Sequence, residues 1–148
     1  MIDAIVFCGL QGSGKSTYFA RRFGDTHVRL NLDMLRTRNR EDILLHACLA
    51  AQQPFVADNT NPTPGQRARY AALARAAGFE VVECYWFDVA IERCIAQNAQ
   101  RPERQRVPEI AIRGTAAKLL APSRAEGFDR IRRVTFGDDG APSVEDLP

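Results

Sequence analysis

Hydrophobic runs alternate with amphipathic segments along the whole chain. Apolar runs at residues 4–8, 55–57 and 81–87, with weaker runs at 28–31 and 131–136, predict five β-strands. Apolar residues spaced three or four apart predict helices over residues 16–22, 40–53, 66–77, 89–95 and 108–120. Strands that alternate with helices favour an α/β fold, in which a parallel sheet of about five strands carries helices on both faces.

The residues at the helix ends agree with these predictions. Gly24, Pro54 and Gly78 follow predicted helices, and Pro108 stands at the start of the last one. Asp88 directly precedes the helix at 89–95, so its carboxylate is predicted to cap that helix. Ligands of open parallel sheets bind outside the carboxyl ends of the strands, which makes the polar residues after each strand the candidates for a site.

The length and composition predict one domain. A chain of 148 residues that is 45% hydrophobic can build one core, which we assign to residues 1–136. Residues 137–148 are acidic and contain Pro and Gly, and we expect a flexible C-terminal tail. Nothing resembles a signal peptide or a membrane span, so we expect a cytoplasmic protein without membrane association. Four cysteines without a C-x-x-C pair are expected to be reduced core thiols: Cys8, Cys48, Cys84 and Cys94.

The charge balance by itself does not identify a partner. A net charge of +2 is too small to indicate nucleic-acid binding. Basic residues do gather at 21–40, 101–113 and 124–133.

The most informative motif is the stretch GLQGSGKS at residues 9–16. It reads G-x-x-x-x-G-K-S and lies between a predicted buried strand and a predicted helix, which is the context of a phosphate-binding P-loop. Its glycines let successive backbone N–H groups point at a triphosphate on a helix N-terminus. Lys15 is expected at the β- and γ-phosphates, and the Ser16 hydroxyl on Mg²⁺. The predicted ATP-binding residues are Gly9, Gly12, Ser13, Gly14, Lys15, Ser16 and Thr17.

Three acidic residues follow predicted strands at the same edge of the sheet as the P-loop. We favour Asp33 as the group that accepts the proton of an attacking hydroxyl, because Asp33 and Arg36 are three residues apart on one helical turn. Such a pair could hold an acceptor hydroxyl and an adjacent phosphate. Asp58 could bind a metal-bound water or pair with Arg36, or it could simply open the turn at residues 59–65. For Asp88 the helix-cap interpretation is favoured.

An arginine-rich segment connects the last two predicted helices. Arg101, Arg104 and Arg106 lie in this polar connection, and at least one of them is expected to close over the triphosphate as a lid arginine.

Several stretches together resemble the 5′-hydroxyl polynucleotide kinase family. They are GLQGSGKST, Asn31-Leu32-Asp33 with Arg36, DNTNP at 58–62 with RARY at 67–70, NAQR at 98–101 with Val107-Pro108, and Ala121-Pro122 with AEGF at 125–128. They follow the family's order and span about residues 5–136. DNTNP and AEGF are far more specific than the P-loop, which many enzymes share.

This resemblance implies an adenylate-kinase-like P-loop fold that transfers the ATP γ-phosphate to the 5′-OH end of DNA or RNA. By motif, Asp33 matches the general base and Arg36 the arginine that contacts the acceptor's 3′-phosphate. Asp58 matches the acidic residue that orients this arginine, and Arg101 matches a lid arginine. Either Arg104 or Arg106 matches a second lid arginine. The chain lacks a D-x-D-x-T phosphatase motif, so we expect a stand-alone kinase that relies on phosphatase and ligase proteins in trans.

Two other functions fit parts of the same pattern. A kinase of a small hydroxylated metabolite, such as a nucleoside, sugar, antibiotic or nucleotide-sugar, would use the same P-loop and base. A nucleotide-dependent interaction module would use the P-loop alone, and the pair of Asp33 and Arg36 would be superfluous there. The pattern is compatible with DNA and with RNA acceptors, and with ATP and with other nucleoside triphosphates as donors.

Overall fold

A six-stranded sheet organises the molecule in the computed structural model, which describes residues 2–148. The strands are β1 (Asp3–Gly9), β2 (Val28–Leu30), β3 (Phe55–Ala57), β4 (Val81–Phe87), β5 (Arg130–Phe136) and β6 (Pro142–Leu147). They are arranged in the order β2-β3-β1-β4-β5-β6. The first five are parallel, and β6 is antiparallel to β5. The predicted mixed α/β fold is therefore confirmed.

Six helices connect the strands. They are α1 (Lys15–Arg22), α2 (Leu32–Leu35), α3 (Arg38–Ala51), α4 (Pro64–Ala76), α5 (Ile91–Ala99) and α6 (Glu109–Lys118), with 3-10 turns at Glu103–Gln105 and Arg124–Glu126. The strongest local signal lies at the start of α4. There the Thr63 hydroxyl caps the Gln66 backbone N–H, the Gln66 side chain returns to the Thr63 N–H, and Pro64 occupies the first turn.

Alternate residues of β1 pack in two hydrophobic layers. Ala4, Val6 and Cys8 join the cluster that contains residues of α3 and α4, whereas Ile5 and Phe7 join the aromatic cluster of α1. Because side chains alternate along a strand, a strand that is apolar throughout must be covered on both faces. The central position of β1 places the loop that follows it in the middle of the carboxyl edge of the sheet.

The C-terminal residues differ from the flexible tail expected from their acidity. Residues 142–147 form β6, paired with β5 from Phe136↔Pro142 to Ile131↔Leu147. Two of the acidic residues are partners of arginines on β5: Glu145 lies 3.4 Å from Arg133, and Asp146 lies 3.6 Å from Arg132. The acidic residues that led us to expect a flexible tail therefore stabilise the pairing of β6 with β5.

The predicted capping role of Asp88 is wrong. Helix α5 begins two residues later than expected, its N-cap is Ala90, and no side chain caps it. The Asp88 carboxylate instead accepts a hydrogen bond from Arg133 Nε at 2.8 Å. The Asp88 carboxylate therefore pairs with an arginine of the neighbouring strand β5 and does not bond the backbone at the start of α5.

The four cysteines are buried free thiols, as expected. Burial raises the pKa of each of them, most strongly that of Cys84. Within residues 2–148 no three His, Cys, Asp or Glu side chains gather as a metal cluster. No helix in this part of the chain is both long enough and apolar enough to cross a membrane.

Candidate active site

The phosphate cradle is the loop between β1 and α1. Gly12 and Gly14 have φ angles of +80° and +93°, in the left-handed region that favours glycine. A Cβ atom at Gly12 would also lie 2.4 Å from the Cys94 carbonyl oxygen of α5, so the loop needs glycine for space as well as for conformation. The Gly9 N–H donates to the Thr60 carbonyl at 3.0 Å, so the first residue of the cradle is bonded to the loop that follows β3.

Lys15 is held inside the cradle. Its Nζ donates to the carbonyl oxygens of Gly9 at 2.9 Å and Leu10 at 2.7 Å, and only 8% of the residue is exposed. Burial lowers the pKa of Lys15 to about 8, and the nearby Asp58 carboxylate partly offsets this effect. The ammonium therefore has backbone carbonyls as partners that an anionic ligand can replace.

Asp33 lies on the single turn of α2, directly after β2. Its side chain is exposed and lines a cleft of about 200 Å³ together with Lys15, Ser16, Asp58, Asn59 and Arg101. In the part of the chain that the structure describes, the Asp33 carboxylate has no hydrogen-bond or ion-pair partner among the protein's own side chains. It is thus free to accept a proton from a molecule in the cleft.

Two asparagines fix the helical turn that carries Asp33. The Asn31 side chain caps the Met34 N–H at 3.0 Å and donates to the Asp58 carbonyl at 2.7 Å. Asn59 Oδ1 accepts from the Leu32 N–H at 2.9 Å. The turn at the end of β2 is therefore anchored to the loop that follows β3.

A buried carboxylate, that of Glu41, holds the Asn59 side chain in place. Glu41 of α3 is fully buried and accepts hydrogen bonds from Asn59 Nδ2 at 2.8 Å, Tyr70 OH at 2.9 Å and Arg38 Nη1 at 2.9 Å. Burial raises the pKa of the Tyr70 hydroxyl to about 12, with the Glu41 carboxylate as a second cause, so this hydroxyl remains a donor. Sequence reasoning missed Glu41, because a single glutamate in the first turn of a helix is ordinarily solvated.

The structure does not bring Arg36 to either of its predicted partners. Arg36 ends α2 with a φ of +77°, is exposed, and does not line the cleft. No ion pair joins it to Asp33 or Asp58 in residues 2–148. The positive φ of Arg36 lies outside the helical region, so Arg36 does not continue the helix geometry on which a three-residue pairing depends.

Arg29 takes the place predicted for Arg36 beside Asp58. Its Nε donates to Asp58 Oδ2 at 2.8 Å, and its Nη2 donates to Ser16 Oγ at 2.7 Å. Asp58 is 1% exposed, and its second oxygen, Oδ1, is buried without a hydrogen-bond partner. Arg29 lies in the middle of a three-residue strand, where no periodic pattern marks a functional side chain.

Only one of the three predicted lid arginines lines the cleft. Arg101 does so together with Val107, whereas Arg104 is exposed on the 3-10 turn and does not. Arg106 Nε donates to the Arg101 carbonyl at 2.6 Å and so braces the backbone of the cleft arginine. This connection is positioned by Asn98 of α5, whose side chain bonds both the N–H and the carbonyl of Val107.

A second cleft lies on the other side of Gly14. It has a volume of about 190 Å³ and is lined by Thr17, Tyr18, Arg93, Phe136, Gly140 and other residues. The Arg93 guanidinium lies 5.8 Å from the centroid of the Phe136 ring, and its Nη1 donates to the Phe136 carbonyl at 3.1 Å. The two clefts therefore flank the phosphate cradle, one polar and the other with an aromatic wall.

The fold and the cradle are those of a P-loop kinase domain. The chain belongs to the AAA domain family, whose model matches residues 5–122. The bifunctional polynucleotide phosphatase/kinase of Schizosaccharomyces pombe is 27% identical over 139 residues, which make up 90% of this chain and 34% of that protein. A protein of Acanthamoeba polyphaga mimivirus is 28% identical over 144 residues, which make up 90% of this chain and 33% of that protein.

These relatives confirm the resemblance to polynucleotide kinases that the sequence predicted. The chain spans about a third of the length of each of them. Among solved structures, the complex of AvrRxo1-ORF1 and AvrRxo1-ORF2 with ATP has a chain of the same fold. Its TM-score is 0.73 at 12% identity, and the match covers 96% of this chain and 57% of that one.

Proposed function

We propose that this protein is an ATP- and Mg²⁺-dependent kinase that transfers the γ-phosphate to the 5′-OH end of DNA or RNA. The observation that carries this proposal is the polar cleft, which combines an unpartnered carboxylate at Asp33 with the phosphate cradle and a cationic side chain at Arg101. The resemblance to polynucleotide kinases supplies the class of acceptor.

Each side chain has a role that follows from its position. The ammonium of Lys15 exchanges its carbonyl partners for the β- and γ-phosphates, and the backbone N–H groups of residues 14–16 hold the remaining phosphate oxygens. Arg101 stabilises the charge that develops on the transferring group. Asp33 orients the acceptor hydroxyl and takes its proton. The cleft beside Phe136 is the proposed position of the nucleoside of ATP.

The residues present also fit a divalent metal ion. Ser16 offers a hydroxyl oxygen, and the buried Oδ1 of Asp58 is an oxygen without a partner, next to the triphosphate position. When bound, Mg²⁺ would neutralise charge on the β- and γ-phosphates. Arg36 is exposed three residues after Asp33 in sequence, and we assign it contact with a phosphate of the acceptor strand.

A panel of acceptors tests the substrate class. Purified protein with γ-labelled ATP and Mg²⁺ is expected to label 5′-OH DNA or RNA oligonucleotides, and to leave 5′-phosphorylated versions of the same oligonucleotides unlabelled. Label that reaches only nucleosides or sugars would replace this proposal with a kinase of a small hydroxylated metabolite. Slow hydrolysis with no acceptor at all would favour a nucleotide-dependent interaction module.

The lowered pKa of Lys15 predicts a pH dependence of ATP binding. Because phosphates bind the charged ammonium, affinity should be constant below about pH 7 and weaken as the pH rises through about 8. An ordinary lysine would keep its proton to about pH 10. Fluorescence titration with a methylanthraniloyl derivative of ATP between about pH 6.5 and 9.5 measures this, with a fall of up to about tenfold per pH unit above the pKa.

Lys15→Arg is the matched variant for this measurement. Its guanidinium stays charged throughout the range, so whatever affinity it retains should be independent of pH. Wild-type affinity that is constant up to about pH 9.5 would contradict the predicted titration of Lys15.

A further inference from the structure

The side chain of Arg29 occupies the place between the two groups that the proposed metal ion would need. It extends from β2 across α1, with its guanidinium carbon 5.9 Å from the centroid of the Phe19 ring. Two of its three nitrogens make hydrogen bonds here: Nε donates to Asp58 Oδ2 at 2.8 Å and Nη2 donates to Ser16 Oγ at 2.7 Å. The oxygens of Ser16 and Asp58 are themselves 3.4 Å apart. One guanidinium thus binds the Ser16 hydroxyl and one oxygen of Asp58 at the same time, and it leaves Asp58 Oδ1 without a partner.

Asp58 needs a positive charge beside it. A carboxylate that is 1% exposed is strongly destabilised unless it is paired, and among residues 2–148 Arg29 is the one cation in ion-pair contact with it. Lys15, the other nearby cation, gives its hydrogen bonds to the carbonyls of Gly9 and Leu10 and to the Ser13 hydroxyl. Arg29 is therefore the counter-ion of Asp58 in the nucleotide-free protein.

A metal ion and the guanidinium compete for the Ser16 hydroxyl oxygen and for the charge of one carboxylate, since Arg29 holds Oδ2 of Asp58 and Oδ1 is left for the ion. Mg²⁺ binds oxygen ligands at about 2.0–2.1 Å, so an ion on the Ser16 hydroxyl would lie close to the Arg29 nitrogen bonded to the same oxygen. Two cations on one hydroxyl repel each other. Arg29 can move, because 27% of its side chain is exposed, whereas the carboxylate of Asp58 is enclosed.

From this arrangement we propose that Arg29 is the resident cation of the metal site. It neutralises Asp58 and binds Ser16 while no nucleotide is present, and it gives up the Ser16 hydroxyl and its ion pair with Asp58 when the divalent ion arrives with the nucleotide. The inference rests on the metal site of the proposed function. Its consequence is that the nucleotide-free protein binds free divalent ions weakly, and that metal affinity rises when the charge of Arg29 is removed.

The test uses the whole chain without nucleotide or acceptor. For wild type, melting temperatures in EDTA and in millimolar MgCl₂ should agree within about one degree. Arg29→Gln should melt several degrees lower in EDTA, because Asp58 loses its counter-ion, and Mg²⁺ should restore most of the loss. Binding of Mn²⁺ alone, followed by electron paramagnetic resonance, should tighten about tenfold or more in this variant.

Two variants exclude a merely structural role. Arg29→Gln with Asp58→Asn removes both charges and should show neither metal rescue nor tighter Mn²⁺ binding. Arg22→Gln, which changes an exposed arginine over the ring of Phe23, should behave like wild type in both measurements. If Arg29→Gln does not fold, Arg29→Lys replaces it, because an ammonium can pair with Asp58 without also bridging Ser16. It should bind Mn²⁺ with intermediate affinity.

The proposal is overturned if Arg29→Gln loses stability that Mg²⁺ does not restore and its Mn²⁺ affinity equals that of wild type. Arg29 would then have only a structural role, in which it connects β2 to Ser16 of the cradle. Because this assay contains no ATP and no acceptor, its outcome is independent of whether oligonucleotides accept phosphate.

Discussion

Replacing Asp33 with asparagine should lower the rate of phosphoryl transfer to a 5′-OH oligonucleotide by about two to four orders of magnitude. Asparagine is similar in shape but cannot accept the proton of the attacking hydroxyl. The phosphate cradle is a separate element, held by β1 and α1, so ATP affinity should stay within about twofold of wild type. Single-turnover labelling from γ-labelled ATP measures the first quantity, and nucleotide titration measures the second.

Asp25→Asn provides the matched control, because Asp25 is an exposed carboxylate between α1 and β2 and does not line the cleft. It should transfer phosphate at the wild-type rate. Asp33→Asn with an undiminished rate would remove this carboxylate from the chemistry. A rate loss that accompanied an equal loss of ATP affinity would instead mean that the variant disturbs the cradle.

Replacing Arg67 with methionine should lower the free energy of unfolding by about 3–5 kcal/mol. Arg67 of α4 is fully buried and makes a two-pronged pair with Glu126: Nε to Oε1 at 2.7 Å and Nη2 to Oε2 at 3.0 Å. A third bond joins Nη1 to the Asn61 carbonyl at 3.0 Å. Methionine fills similar space but leaves the Glu126 carboxylate buried without its partner. Urea unfolding followed by circular dichroism measures the change.

Two further variants separate this effect from loss of packing. Arg67→Met combined with Glu126→Leu removes both charges and should recover a large part of the lost stability. Arg75→Met breaks the exposed pair with Asp129 and should cost less than about 1 kcal/mol. If Arg67→Met cost as little as Arg75→Met, the buried pair would not be a principal support of the loop after β3.

The pair of Arg67 and Glu126 connects the two regions of the sequence that hold its most specific motifs. Arg67 follows DNTNP, and Glu126 is the acidic residue of AEGF, 59 positions further along the chain. Their pairing shows that these motifs encode a buried support of the loop that carries Asp58 and Asn59. The residues alone were enough to identify the resemblance. The structural role of the motifs became visible only in the folded protein, where Arg67 and Glu126 meet.

The general architecture and the position of the site could be predicted because their signals are local. Each signal is contained in a short stretch of chain. The signals are the apolar run of β1, the glycines of the cradle, the polar residues that follow β2, and those that follow β3. Parallel topology then brings the ends of these strands to one edge, which is why Lys15, Ser16, Asp33 and Asp58 line one cleft. Arg101 joins them from the connection after α5.

The partners of the charged side chains could not be predicted in the same way. Asp58 pairs with Arg29 rather than Arg36, Asp88 pairs with Arg133 rather than capping α5, and β6 pairs its acidic residues with arginines of β5. The contacts of Asp58 and Asp88 join elements that are distant in sequence, and that of β6 depends on the register of its pairing with β5. An arginine side chain is long enough to reach several carboxylates. Which one it reaches depends on the position of the backbones.

By itself, the sequence determined the α/β class, the phosphate cradle and the strand ends where a site must lie, because hydrophobic periodicity and glycine conformations act over short stretches of chain. Only the tertiary structure decided that Arg29 neutralises Asp58, that Glu41 supports the turn carrying Asp33, and that the C-terminal residues complete the sheet. A buried carboxylate such as Asp58 or Glu41 is unstable without a partner. Only the packed fold determines which side chain is near enough to be that partner.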